Sequence, residues 1–182
     1  MKTGQVFRVF SLKGGRKAVL RTPRWEDLDD LFELINSLVD EGAEIIRDEK
    51  VSRDEEIDWL SGLLARLEKD KTFFLVAEID GRVAASSDIN PQKGYEGHVG
   101  VVGIVVKQGF RDSGIGTAMM HVLIEQAKRM GLKVLTLSAF ASNKRAIHVY
   151  EKVGFVQGGL IPRKHLKDGK YIDGTVMTKL LK

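Results

Sequence analysis

The sequence predicts a single domain of mixed α/β class, and three observations carry that expectation. Apolar, β-branched runs such as TFFLVAEI (72–79) and the stretch 98–107 alternate with segments whose apolar residues recur at helical spacing. Asp80-Gly81 joins two strand-like runs as a tight hairpin turn. In VVGIVVKQGFRDSGIG (101–116) a strand empties into a basic, glycine-studded turn that opens a helix. With 182 residues, 43% of them hydrophobic and 30% charged, the chain can bury a real core, and no linker is long enough to divide it.

Residues 5–12 and 16–21 read as two strands joined at Lys13-Gly14-Gly15. Thr22 is positioned to cap a helix with Pro23 at its first position, and Leu28, Leu31, Phe32, Ile35, Leu38 and Val39 form its apolar stripe. After a polar stretch (41–51), Ser52-x-x-Glu55 forms a capping box for a second helix facing the core with Ile57, Leu60, Leu64 and Leu67. The Asp80-Gly81 hairpin follows, then the loop 90–97 and the strand 98–107. The helix after the glycine turn carries Ile115, Met119, Val122, Leu123, Gln126, Ala127 and Met130 and stops at Gly131. VLTLSA (134–139) is a buried strand. Asn143 caps a short helix bearing Ala146, Ile147, Tyr150 and Val153 that stops at Gly154, and two strands meeting at Lys167-Asp168-Gly169 close the chain. The expected order is β-β-α-α-β-β-β-α-β-α-β-β.

Composition removes several function classes. There is no cysteine, which excludes disulfides, thiol nucleophiles and the usual structural zinc sites, and His98, His121, His148 and His165 lack metal-ligand spacing. No metal is expected. The N-terminus has no apolar signal core and no stretch approaches the length of a membrane span, so a cytoplasmic protein without a membrane partner is expected. The net charge of +4 suits nucleic acid or a multiply phosphorylated ligand; no basic cluster interleaved with aromatics is present, which argues against nucleic acid.

The glycine turn narrows the ligand. Gly114 and Gly116 let N–H groups approach without a Cβ in the way, Arg111 supplies positive charge, and the helix N-terminus adds its partial positive end, so the ligand is anionic. A nucleoside triphosphate loop would need lysine where Ile115 stands, and a dinucleotide fingerprint a small residue where Met119 stands. The pattern R-x-x-G-x-G, realised as Arg111, Gly114 and Gly116, fits better. Some thirty residues later SNKRAIHVYEKVGF (142–155) spells N-x-x-A-x-x-x-Y-x-x-x-G-F. Together these motifs resemble the two signatures of the GNAT superfamily of N-acetyltransferases, and the order of elements matches that fold from about residue 16 to the end.

The resemblance implies one domain over residues 1–182: a mixed, mostly antiparallel central sheet flanked by helices, with a splayed fourth family strand and residues 1–15 as an extra N-terminal strand and turn. It implies acetyl-coenzyme A as co-substrate, its pyrophosphate on Arg111, Asp112, Ser113, Gly114, Ile115, Gly116 and Thr117. The backbone of Ile104, Val105 and Val106 would lie along the pantetheine arm, with Asn143, Ala146 and Tyr150 beyond it. Tyr150 lies seven positions after Asn143, within about 20° of the same helix face, and matches the tyrosine that protonates the leaving thiolate. Alone it would read as a core residue. The N–H of Ile104 matches the oxyanion donor, the alternative being a fully paired strand. His98 matches a position where several relatives carry glutamate and is a candidate base; Glu96 competes, and a solvent-facing histidine is the plain alternative. Arg47, Asp48 and Glu49 fall where acceptor contacts occur in the family, or in a solvated loop. Asp168 and Tyr171 sit at a rim turn.

The expected function is direct transfer of acetyl from acetyl-coenzyme A to the primary amine of a small molecule such as an amino acid. The C-terminal IPRKHLKDGKYIDGTVMTKL resembles the close of amino-acid and phosphinothricin-type acetyltransferases and of some ribosomal-protein acetyltransferases. A protein N-terminus or lysine is the alternative acceptor, a non-catalytic coenzyme A sensor the alternative function, and a homodimer is compatible with either.

Overall fold

The structure, a computed structural model, describes residues 1–12 and 14–182. Its elements follow the expected order: β1 (Val6–Ser11), β2 (Lys17–Arg21), α1 (Leu28–Asp40), α2 (Arg53–Glu68), β3 (Phe73–Ile79), β4 (Arg82–Pro91), β5 (Val99–Val106), α3 (Ile115–Arg129), β6 (Val134–Phe140), α4 (Lys144–Lys152), β7 (Val156–Lys167) and β8 (Lys170–Leu180). The strands make one eight-stranded sheet ordered β1-β2-β3-β4-β5-β6-β8-β7, so β1 is the extra edge strand. The turn expected at Lys13-Gly14-Gly15 includes Lys13, which lies outside the described residues.

The continuous apolar run of β3 is explained by burial on both faces. Phe73, Leu75, Ala77 and Ile79 join Met119, Leu123 and Ala127 of α3 and Tyr150 of α4 in one core. Phe74 and Val76 point the other way, into a second core with Leu28, Leu31, Leu34 and Leu38 of α1 and Leu60 and Leu63 of α2. The sheet thus separates an α1/α2 face from an α3/α4 face. Arg21 ties β2 and β3 to the start of α1: 4% exposed, it donates two 2.7 Å hydrogen bonds to Asp27 and one of 2.7 Å to Glu78.

Most neighbouring strands are antiparallel, and the exception shapes the site. β5 and β6 run parallel and pair only over Val99–Val101 with Val134–Thr136. Beyond that β5 stays with β4 as far as Val106 opposite Ala85, while β6 follows β8 to Phe140 opposite Gly174. The two central strands therefore part, as the resemblance implied.

Two local expectations need correction. Thr22 does not cap α1. Its hydroxyl donates to the Lys2 carbonyl (2.7 Å) and accepts from the Gln5 N–H (2.8 Å), because the N-terminal segment lies alongside the end of β2. The helix is entered through a short 3-10 turn at Trp25–Asp27, where Asp27 accepts from the Arg24 N–H at 2.8 Å. The buried stripes are also rotated from those expected: Leu34 is buried while Phe32, Ile35 and Val39 are half-buried, and in α2 Leu63 and Glu56 are buried while Ile57 and Leu64 are half-buried.

Candidate active site

The parting of β5 from β6 exposes backbone. Gln92 N–H donates to the Val99 carbonyl and Lys107 N–H to the Ala84 carbonyl, both at 2.9 Å, which sets the phase of the β4–β5 ladder. With Ser87 opposite Ile104 in that register, the antiparallel alternation points the odd-numbered N–H groups of β5 at β4 and those of Val102, Ile104 and Val106 away from it. At Ile104 the strand on that side has already left, so its N–H faces the opening. Ser87 is 1% exposed and its Oγ has no hydrogen-bond partner among the described residues, an orphaned polar atom directly opposite Ile104.

The glycine turn meets this opening. Gly109, Asp112 and Gly114 take left-handed backbone (φ 86°, 60° and 92°), and Gly114 stands at the N-cap of α3 with no side chain capping it. The N–H groups of Gly114, Ile115, Gly116 and Thr117 have no acceptor among the described residues, the state of a first helical turn that awaits an anion. A Cβ placed on Gly116 would lie 3.8 Å from Ile104 Cδ1 and 3.7 Å from Val149 Cγ1, so the turn, β5 and α4 converge there. These donors and left-handed positions fit a pyrophosphate.

Arg111 has a task besides supplying the positive charge expected of it. Its Nε donates to the Val106 carbonyl at 2.9 Å and its other end pairs with Glu41 at the C-terminus of α1, both side chains half-buried. Arg111 therefore braces the turn against β5 and α1. An exposed cation that sequence reasoning missed, Arg145 of α4, stands 3.4 Å from Asp112.

α4 forms as its cap predicts: the Asn143 side chain accepts from the Ala146 N–H at 3.1 Å. Ala146 is half-buried and Tyr150 is buried in the α3/α4 core. Burial pushes the Tyr150 phenol up to about 12, so it stays protonated at neutral pH.

On the opposite, α1/α2 face a cleft of about 290 Å³ opens beside the same stretch of β5. Leu31, Leu34, Ile35, Val51, Trp59 and Phe74 make it apolar, Gly103, Ile104 and Val105 contribute from β5, and Arg47, Glu55, Glu56, Ser86 and Asp88 supply its polar groups. Burial pushes the Asp88 carboxyl up to about 6, against the hydrogen bond it accepts from the Asn90 side chain. Burial also raises Glu56, which is 5% exposed, with Arg47 opposing the shift.

The structure brings Arg47 to this cleft but not the other predicted acceptor residues. His98 is exposed at the start of β5 and does not line the cleft. Six residues of extended chain put it on the order of 20 Å from Ile104, beyond the reach of an imidazole, so His98 is not placed to serve a reaction there. Glu96, Asp48 and Glu49 are exposed and outside the cleft as well. Asp168 is a turn residue (φ 50°), and Tyr171 lies under Arg163, 5.7 Å from its ring centroid. Asp88 and Glu56 were missed. The signals that could have found them are an acid inside a strand of mostly small or apolar residues, and a carboxylate in the helical stripe Glu56, Leu60, Leu63, Leu67.

Comparison with known proteins bears on this arrangement. The model of the acetyltransferase (GNAT) family matches residues 27–155. The chain is 26% identical over 161 residues to the L-amino acid N-acyltransferase MnaT of Escherichia coli, covering 87% of this chain and 91% of that protein. It is 24% identical over 162 residues to an L-methionine sulfoximine/L-methionine sulfone acetyltransferase of Pseudomonas paraeruginosa, covering 88% and 92%. A phosphinothricin acetyltransferase from Sinorhizobium meliloti, solved in complex with acetyl-coenzyme A, shares the fold with a TM-score of 0.80 at 19% identity over 90% of this chain and 88% of that one.

Proposed function

This chain belongs to the acetyltransferase (GNAT) family, and we propose that it transfers acetyl from acetyl-coenzyme A directly to the primary amine of a small molecule of amino-acid size. The observation that carries the reading is the meeting of two sets of unclaimed backbone donors at one place: the Ile104 N–H at the parting of β5 and β6, and the first-turn N–H groups of α3 beside it. The relatives named for amino-acid substrates support a small acceptor, and so does a cleft of about 290 Å³ with an apolar wall.

When bound, the co-substrate supplies an acetyl group activated as a thioester. The N–H groups of Gly114–Thr117 and the positive end of α3 hold its pyrophosphate, and Arg111 keeps the turn in register with β5 by gripping the Val106 carbonyl. Val105 and Val106 carry the chain along the pantetheine arm, with the Val106 N–H directed away from β4. The Ile104 N–H donates to the carbonyl oxygen as negative charge develops on it. Tyr150 gives its phenolic proton to the departing sulfur. Asn143, accepting from the Ala146 N–H, caps the helix that carries Tyr150.

Release of free thiol from acetyl-coenzyme A, measured against a panel of amino acids and simple primary amines, tests the reading. Amine-dependent release is expected. Tight binding of acetyl-coenzyme A without release on any amine would favour a sensor over an enzyme.

A further inference from the structure

Resting on that reading, the acceptor arrives as an ammonium ion, and its proton must leave before nitrogen can attack beside Ile104. We propose that Asp88 is the group that receives this proton, and that the cleft around it seats a small cationic amine carried on an apolar stem.

Asp88 stands opposite Gly103 in the β4–β5 ladder, one residue from Ile104, and both lie in the cleft. A Cβ on Gly103 would fall 2.6 Å from Asp88 Oδ1, so glycine is what lets the carboxylate lie over β5, one residue from Ile104. Asp88 has no ion-pair partner among the described residues, and its carboxylate accepts only from the Asn90 side chain. The charged groups facing it are Arg47 from the α1–α2 connection and Glu55 and Glu56 from α2; α1 presents Leu31, Leu34 and Ile35, and β5 presents no charge. Acids outnumber bases around an apolar pocket, an environment that favours a cation. Burial then tunes the group: a carboxyl titrating near 6 is ionised at neutral pH and still basic enough to accept a proton.

The step balances. The ammonium gives one proton to Asp88, which releases it to solvent. The freed electron pair forms the N–C bond, the carbonyl pair moves to oxygen under the Ile104 N–H, and on collapse the C–S bond breaks with its pair on sulfur. Tyr150 protonates the sulfur, and the second amine proton restores the phenol. One thioester and one ammonium give one amide, one thiol and one proton.

The test is kcat/KM for thiol release from pH 5 to 9 with leucine, methionine and isoamylamine as acceptors, alongside acetyl-coenzyme A affinity by calorimetry. For the wild type an acidic limb with a midpoint near 6 is expected. Asp88→Asn should lose that limb and fall about 10²–10³-fold at pH 7, recovering toward pH 9 where solvent supplies neutral amine, with cofactor affinity unchanged. Gly103→Ala, which pushes the carboxylate aside, should reproduce the loss in a protein that keeps Asp88. A limb that persists in Asp88→Asn with activity within threefold of wild type overturns the assignment, as does a limb removed by His98→Ala instead. Cofactor binding with no turnover of any acceptor overturns the small-amine reading and this inference with it.

Discussion

The two sides of β5 differ in what each offers the proposed reaction. Toward α3 and α4 the groups proposed to act are mostly main-chain N–H donors, at Ile104 and at Gly114–Thr117, drawn from one continuous stretch of chain and joined by the Tyr150 side chain of α4. Toward α1 and α2 they are the side chains of Arg47, Glu56 and Asp88, drawn from three separate segments that meet only in the folded sheet. Main-chain donors depend on conformation rather than residue identity, so they suit a constant co-substrate. Side chains on a separate face can be exchanged without disturbing that apparatus, so they suit an acceptor that varies.

Substitutions on either side should therefore have separable effects. The largest is expected at the chemical step itself. Tyr150→Phe keeps the ring in its core and removes the proton, so turnover should fall by roughly 10²–10⁴ with little change in acetyl-coenzyme A affinity; a mutant with wild-type turnover when chemistry limits the rate would make Tyr150 a packing residue. Next comes Arg111→Glu, which sets a second carboxylate against Glu41 and frees the Val106 carbonyl. Calorimetry should show acetyl-coenzyme A binding weakened on the order of 10²-fold, and unchanged affinity would remove Arg111 from the donor side.

On the acceptor side the comparison predicts a gain in stability. The Asp88 carboxyl titrates at about 6 in the fold and near 3.9 in an unfolded chain. Its contribution to stability is full below pH ~4 and is lost as pH rises through 6. Asp88→Asn should therefore be more stable than the wild type at pH 7 by on the order of 2 kcal/mol, with the difference shrinking as pH falls toward 4. Urea unfolding at the two pH values measures this, and a variant less stable at pH 7 would mean the carboxylate is structural. The smallest effect belongs to Gly116→Ala. A Cβ there meets only ordinary contacts with Val149 and Ile104, so thermal unfolding should change by no more than about 0.5 kcal/mol, and any loss of cofactor affinity would come from crowding the bound anion.

The same division explains what the sequence revealed. The order of elements was legible because caps and turns are local: Ser52 with Glu55, Asn143 with Ala146, and Asp80-Gly81 each act within a few residues. The glycine turn and the α4 cap could be read for the same reason, since both are contiguous motifs. Thr22 misled because its hydroxyl is claimed by Lys2 and Gln5, a tertiary contact that overrides a good capping residue. Arg111 was recognised but its pairing with Glu41, seventy residues away, was not visible. Asp88 was missed because nothing in RVAASSDINP announces that Gly103 of the next strand makes room for it.

The most direct test of this division is amide NMR of the 15N-labelled chain titrated with acetyl-coenzyme A. The account predicts the largest shifts at the N–H groups of Ile104, Val106 and Gly114–Thr117, with the side-chain cleft around Arg47 and Glu56 little changed until an amine is added. Saturable binding that leaves those amides unmoved would contradict it.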